Sequence, residues 1–114
     1  MHVAHGKAER IRHFRKYAVG DLKDQRFWFR GPEEKHNLSA PNLSLFCHIG
    51  KGIDEETWLF HLRRGDYSRW IRDSVKDREL AEVVRRVEER HDNDARDSRK
   101  RICDAIEAKY SLSA

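Results

Sequence analysis

No stretch of this sequence is apolar enough to cross a bilayer. The longest run free of Lys, Arg, Asp and Glu extends from His36 to Gly50 and still holds Asn, Ser, Pro and His. A spanning helix needs about 20 mostly apolar residues. The opening MHVAHGKAERIRHF has no apolar centre of the kind a secretory signal requires. Cysteine is scarce as well: Cys47 and Cys103 lie far apart and neither has a Cys-x-x-Cys partner. A single disulfide is open in principle, but buried thiols in a reducing compartment are the expectation, with cytoplasm as the default location. Also missing are a Gly-rich phosphate loop, a nucleophilic aspartate motif, and His-x3-His or His-Glu-x-x-His spacings. No cofactor, no metal site and no catalysis are therefore expected.

What the chain has in quantity is charge. Its 114 residues suit one domain, 1–114, with 1–6 and 111–114 expected to fray. Charged residues make up 39% and hydrophobic ones 38%, so five Phe, three Tyr and three Trp must fill much of a modest core. The net charge of +4 is unevenly spread. Residues 1–30 carry eight Lys or Arg against three acids, 31–62 two against five, 63–76 five against two, and 77–114 nine against ten. Two basic zones thus flank an acidic one, which suits an anion-binding face. The density falls short of the stripe nucleic acid normally needs, so a pI of 9.3 leaves that partner a minor alternative.

Helical spacing dominates and predicts an all-α fold: a compact bundle of five to six short-to-medium helices with one short extended aromatic segment. A first helix over about Lys7 to Val19 puts Ile11, Phe14 and Ala18 on one face and Arg10, Arg12, Arg15 and Lys16 on the other; Gly20 closes it. Asp21 to Gln25 reads as a polar connector. Phe27-Trp28-Phe29, ahead of Arg30-Gly31-Pro32, is extended, too short for a sheet of its own, and expected to strap across the helices. Glu33 to Asn37 reads as a solvated loop.

A second helix is expected from Ser39 to about Gly50, with Pro41 in its first turn and Asn42, Leu45, Phe46 and Ile49 at helical spacing. Asp54 caps a third, whose stripe is Trp58, Leu59 and Leu62 and which Gly65 breaks. Asp66 caps a short fourth, with Tyr67, Trp70 and Ile71 on one face. Asp77 starts a long fifth on Leu80, Val83, Val84 and Val87. After His91-Asp92-Asn93-Asp94 a last helix carries Ile102, Ala105, Ile106 and Tyr110, with Asp94 and Asp97 as a capping pair.

The densest chemistry surrounds Gly65. His61, Arg63, Arg64, Asp66, Tyr67, Ser68, Arg69 and Arg72 cluster there. A helix start beside several guanidinium forks suits a phosphate or carboxylate. The competing expectation is a structural network in which these arginines pair with Asp66, Asp73, Glu55 and Glu56. Cys47 and His48 do not form a thiol-base pair, because adjacent helical positions point about 100° apart. Single histidines such as His48 and His61 are expected to be structural.

The strings FWFRGPEEKHNLSAPNL and GIDEETWLFHLRRGDYSRWIRDSVKD, followed by RELAEVVRRVEER, resemble a C-terminal accessory domain. That domain is found appended to haloacid-dehalogenase-like hydrolases of the phosphoglycolate-phosphatase-like kind. The likeness runs from about Arg12 to Tyr110. It implies a helical domain that caps or orients a catalytic core, with motif residues Arg30, Asn42, Trp58, His61, Arg63, Arg64, Asp66, Tyr67, Ser68, Arg69 and Trp70. Two departures limit it: the hydrolase's nucleophilic aspartate and α/β core are absent, and Pro41 stands where a polar residue is expected.

The leading expectation is thus a non-catalytic accessory or regulatory domain that docks on a partner protein, such as a haloacid-dehalogenase-like hydrolase. Arg30 and the Gly65 cluster would supply the contact surface. One alternative is a module for a small phosphorylated metabolite held by Arg63, Arg64, Arg69 and Arg72. Another is the detached C-terminal part of a phosphatase.

Overall fold

A computed structural model describes residues 15–110. The expected first helix lies mostly outside the described residues, as do the two segments expected to fray. Its last turn, Arg15–Val19, is π-helical, with Tyr17 and Ala18 buried. Five α-helices follow: α1 (Leu43–Gly52), α2 (Glu55–Arg64), α3 (Asp66–Trp70), α4 (Arg78–Glu88) and α5 (Ala95–Tyr110). The domain is helical, as the periodicity predicts. α3 runs on into a π-helical segment, Ile71–Val75.

One departure concerns the aromatic strap. β1 (Phe27–Phe29) pairs antiparallel with β2 (Leu38–Ala40), Phe27 opposite Ala40 and Trp28 opposite Ser39. Ser39 therefore begins no helix, and the strap has a partner strand. The physical cause is Pro41, which disfavours the helical region for Ala40 before it. The helix starts two residues beyond the proline. Asn42, expected on a helix face, is the N-cap: its Oδ1 accepts from Leu45 N at 2.9 Å while its Nδ2 donates to Gly20 O at 2.7 Å.

The other caps follow local chemistry. Asp54 accepts from Thr57 N at 3.0 Å and Asp77 from Leu80 N at 3.0 Å. Asp94 accepts from Asp97 N at 2.6 Å, but the Asp97 carboxylate turns to Arg101. Gly65 ends α2 in the left-handed region at φ 71°, where a residue without a Cβ is unstrained. Asp66 caps nothing. Gly65 holds the cap position of α3, and the Asp66 carboxylate is committed elsewhere.

Aromatic rings fill the centre. Phe29 stacks on Phe46 at 5.4 Å, Phe46 on Trp70 at 5.2 Å, and Trp58 on Tyr67 at 4.4 Å. Each buried ring polar atom has a partner, as burial demands. Trp58 Nε1 donates to Ser98 Oγ at 2.9 Å, Tyr67 OH to Trp58 O at 2.8 Å, and Trp70 Nε1 to Gln25 O at 2.7 Å. In α4 the stripe is rotated from expectation: Leu80, Ala81, Val84 and Val87 are buried, whereas Val83 is exposed. That helix packs against both α3 and α5, and small Ala81 gives it a second inward edge. No helix among the described residues is long and apolar enough to cross a membrane.

Candidate functional site

The residues gathered around the α2–α3 break are organised by one histidine. His61 is buried on the last turn of α2. Its Nε2 accepts the Gly31 backbone N–H at 3.1 Å, and its Nδ1 faces Asp66 Oδ2 at 2.8 Å. An amide can only donate, so Nε2 is the acceptor and the Nδ1–H points at the carboxylate. Gly31 sits at φ 75°, ψ −177°, a region essentially reserved for glycine. A Cβ there would come within 2.7 Å of Thr57 Oγ1. The loop after β1 is thus seated directly on α2.

Asp66 is the second node. Its Oδ2 also accepts from Arg64 Nε at 3.1 Å, and its Oδ1 from Arg69 Nη1 at 2.9 Å. Burial pushes this carboxyl up, but the His61 hydrogen bond and the charges of Arg64 and Arg69 outweigh it and hold the group below its ordinary value. The guanidinium of Arg64 lies over the Phe60 ring at 5.0 Å. On the hairpin, Arg30 lies over Trp28 at 4.5 Å. The two cation-aromatic stacks stand on one hydrogen-bonded frame running Gly31, His61, Asp66.

The other expected residues have different surroundings. Tyr67 is wholly buried in the core, and burial raises its phenol. Arg63 is exposed and forms no ion pair among the described residues. Arg72 pairs with Asp73 at 2.8 Å, one turn beyond the cluster. Ser68 donates its N–H to Glu88 Oε2 at 3.1 Å. Glu88 supplies the carboxylate that Asp66 was expected to bring to the α3 start. Helical spacing gave no sign of it, since Glu88-Glu89 reads as a solvated pair. Burial pushes Glu88 up, against the hydrogen bonds from Ser68.

Two basic grooves lie outside this frame. Ser68 and Arg72 line one of about 300 Å³ together with Arg78, Glu82 and Arg85. A second, of about 470 Å³, is lined by Lys51, Arg96, Arg99 and Lys100 beside Glu55 and Asp104. In the second, Arg99 donates from Nη1 to Lys51 O at 3.0 Å and lies over the Trp58 ring at 5.7 Å. Among the described residues no group of three His, Cys, Asp or Glu is placed to hold a metal ion.

A family model described as a family of unknown function (DUF5752) matches residues 35–114. The match takes in His61, Asp66 and the arginines of the break, and begins after Trp28, Arg30 and Gly31. No curated protein and no solved structure matches the chain.

Proposed function

The chain belongs to the family DUF5752, and we propose that it is a non-catalytic docking module for a partner protein. The observation that carries this reading is the commitment of His61 and Asp66. Both ring nitrogens of the histidine and both carboxylate oxygens are engaged by structural partners. The pair is thereby tied into the fold, while two Arg-aromatic stacks, with Trp28 and Arg64 exposed and Arg30 and Phe60 half-buried, stand beside it. Trp and Arg are the residue types that dominate protein–protein contacts, and preorganised side chains lose less entropy on binding.

The partner suggested by the string resemblance is a haloacid-dehalogenase-like hydrolase. The contact surface would comprise Trp28, Arg30, Phe60, Arg64 and Arg69. The test is affinity capture with the folded chain, identification of the retained protein, and reassembly of the pair from purified components. Reassembly with such a hydrolase supports both parts of the proposal. Reassembly with a different protein keeps docking and removes the hydrolase, and no reassembly with any captured protein removes docking.

A second reading is favoured by the groove between α3 and α4. Arg78 there makes no ion pair among the described residues, and Ser68, Arg72 and Arg85 stand beside it. That arrangement suits a small phosphorylated ligand. Thermal shift against sugar phosphates and nucleotides tests it, since a ligand at 100 times its Kd adds about 2.7 kcal/mol.

A further inference from the structure

We propose that the groove between the end of α1 and the first turns of α5 binds a phosphate monoester, gripped at its phosphate by Arg96, Arg99 and Lys100. The inference rests on neither reading above. It shares no residue with the docking face or with the groove between α3 and α4.

The groove, of about 470 Å³, is lined by Lys51 from α1, Glu55 from α2, and Arg96, Arg99, Lys100 and Asp104 from α5. Four cations thus face two carboxylates. Two of the cations are partly spent: Lys51 Nζ meets Glu107 Oε1 at 3.0 Å, and Lys100 Nζ meets Asp104 Oδ2 at 2.8 Å. Arg96 is exposed and has no ion pair among the described residues. It stands in the first turn of α5, where the positive end of the helix dipole adds to the field. Glu55 has no ion pair among the described residues either, and it opposes an anion in the groove.

Arg99 carries the argument. It is half-buried, lies over the Trp58 ring at 5.7 Å, and donates from Nη1 to the Lys51 carbonyl at 3.0 Å. Its Nε and Nη2 are shut off from solvent and have no hydrogen-bond partner among the described residues. Those two nitrogens form the side-on edge of the guanidinium, whose parallel N–H bonds fit two oxygens of one carboxylate or phosphate. A buried donor without an acceptor costs free energy, so the resting position of Arg99 is poorly satisfied. Because Arg99 already lines the groove, an anion there is met by turning this edge outward. One bond to a neutral carbonyl is then exchanged for two charge-assisted ones, which favours the turn. Arg96 and Lys100 are left for the remaining oxygens, which a carboxylate lacks and a phosphate has. A free phosphate ion fills only a small part of the groove, so there is room for the organic group of an ester.

The experiment titrates the full-length protein at constant ionic strength with inorganic phosphate, methyl phosphate or chloride. Backbone amides and arginine Nε–H signals are followed by NMR. The expected result is a saturable change with both phosphates and none with chloride, confined to residues 51–55 and 95–104. Among arginine signals the Arg99 Nε–H moves most, and the ester binds at least as tightly as the free ion. Arg99→Ala weakens binding about tenfold, the scale of a hydrogen bond to a charged group. Arg96→Ala weakens it about threefold and Glu55→Gln strengthens it by about as much, the scale of exposed charge pairs. Arg78→Ala changes nothing, which separates this site from the groove between α3 and α4. The proposal is overturned by no saturation with either phosphate, by an equal response to chloride, or by changes centred on residues 78–85. Affinity equal to the parent's in both Arg96→Ala and Glu55→Gln overturns it as well, and binding of the free ion without methyl phosphate removes the ester. Arg96 and Glu55 are exposed, so these two variants decide the matter should Arg99→Ala fail to fold.

Discussion

Gly31 and His61, thirty positions apart, are joined by a hydrogen bond from the Gly31 backbone N–H to His61 Nε2 at 3.1 Å. The bond seats the end of the aromatic hairpin on α2, and the other ring nitrogen passes the restraint to Asp66 at the start of α3. Three separate segments of chain thereby share one fixed geometry.

Replacing Gly31 by Ala should be among the most damaging single changes. The new Cβ would occupy a backbone region reserved for glycine and approach Thr57 Oγ1 to 2.7 Å. A loss of about 3 kcal/mol is expected in urea unfolding. An unchanged midpoint would show that the loop is not seated as described.

His61→Phe keeps a ring among Phe27, Phe29 and Phe60 but removes both polar contacts. The Gly31 amide then loses its partner, at about 1 to 3 kcal/mol for a buried orphan, while Asp66 Oδ2 keeps Arg64. Denaturant titration of the two proteins checks it, and the cost should shrink, leaving the Asp66 part, when Gly31→Ala is already present.

Acid stability should follow Asp66 and Asp77. Both are buried enough to be pushed up, yet hydrogen bonds hold them below their ordinary value: His61 and two arginines for Asp66, and Lys109, the Leu80 amide and Tyr110 for Asp77. A carboxyl depressed by folding contributes stability in full above its unfolded value, about 3.9 for Asp, and loses it as pH falls through the lower folded value. Asp66→Asn should therefore flatten the acid limb of stability against pH. An unaltered limb would mean that the ion cluster contributes nothing.

Glu88 carries the opposite sign. Burial raises it, so stability falls as pH climbs from about 4.3, the ordinary Glu value, through the raised folded one. Glu88→Gln keeps an acceptor for the Ser68 amide while removing the charge. At pH 7 it should be as stable as the parent or more so in thermal melts, and clear destabilisation would contradict this.

Much of this was legible in sequence where the cause is local. Asp54 and Asp77 sit before apolar stripes as caps should, Gly65 falls where a left-handed residue ends a helix, and Trp58 and Trp70 lie on buried stripes. What escaped was non-local. β2 depends on a pairing with Phe27–Phe29 that no window around Ser39 reveals, although Pro41 held a hint. The Glu88 contact with Ser68 and the Gly31 contact with His61 arise only from packing. The clustering of Arg64, Asp66 and Arg69 was visible, but not that one aspartate would hold both arginines.

The docking surface is tested most directly by the affinity of the purified partner for Trp28→Ala and Arg64→Ala. Both side chains are exposed, so neither change should move the unfolding midpoint by more than about 0.5 kcal/mol. Each should weaken binding at least tenfold, about 1.4 kcal/mol. Unchanged affinity in both variants, with folding intact, would contradict docking through this face.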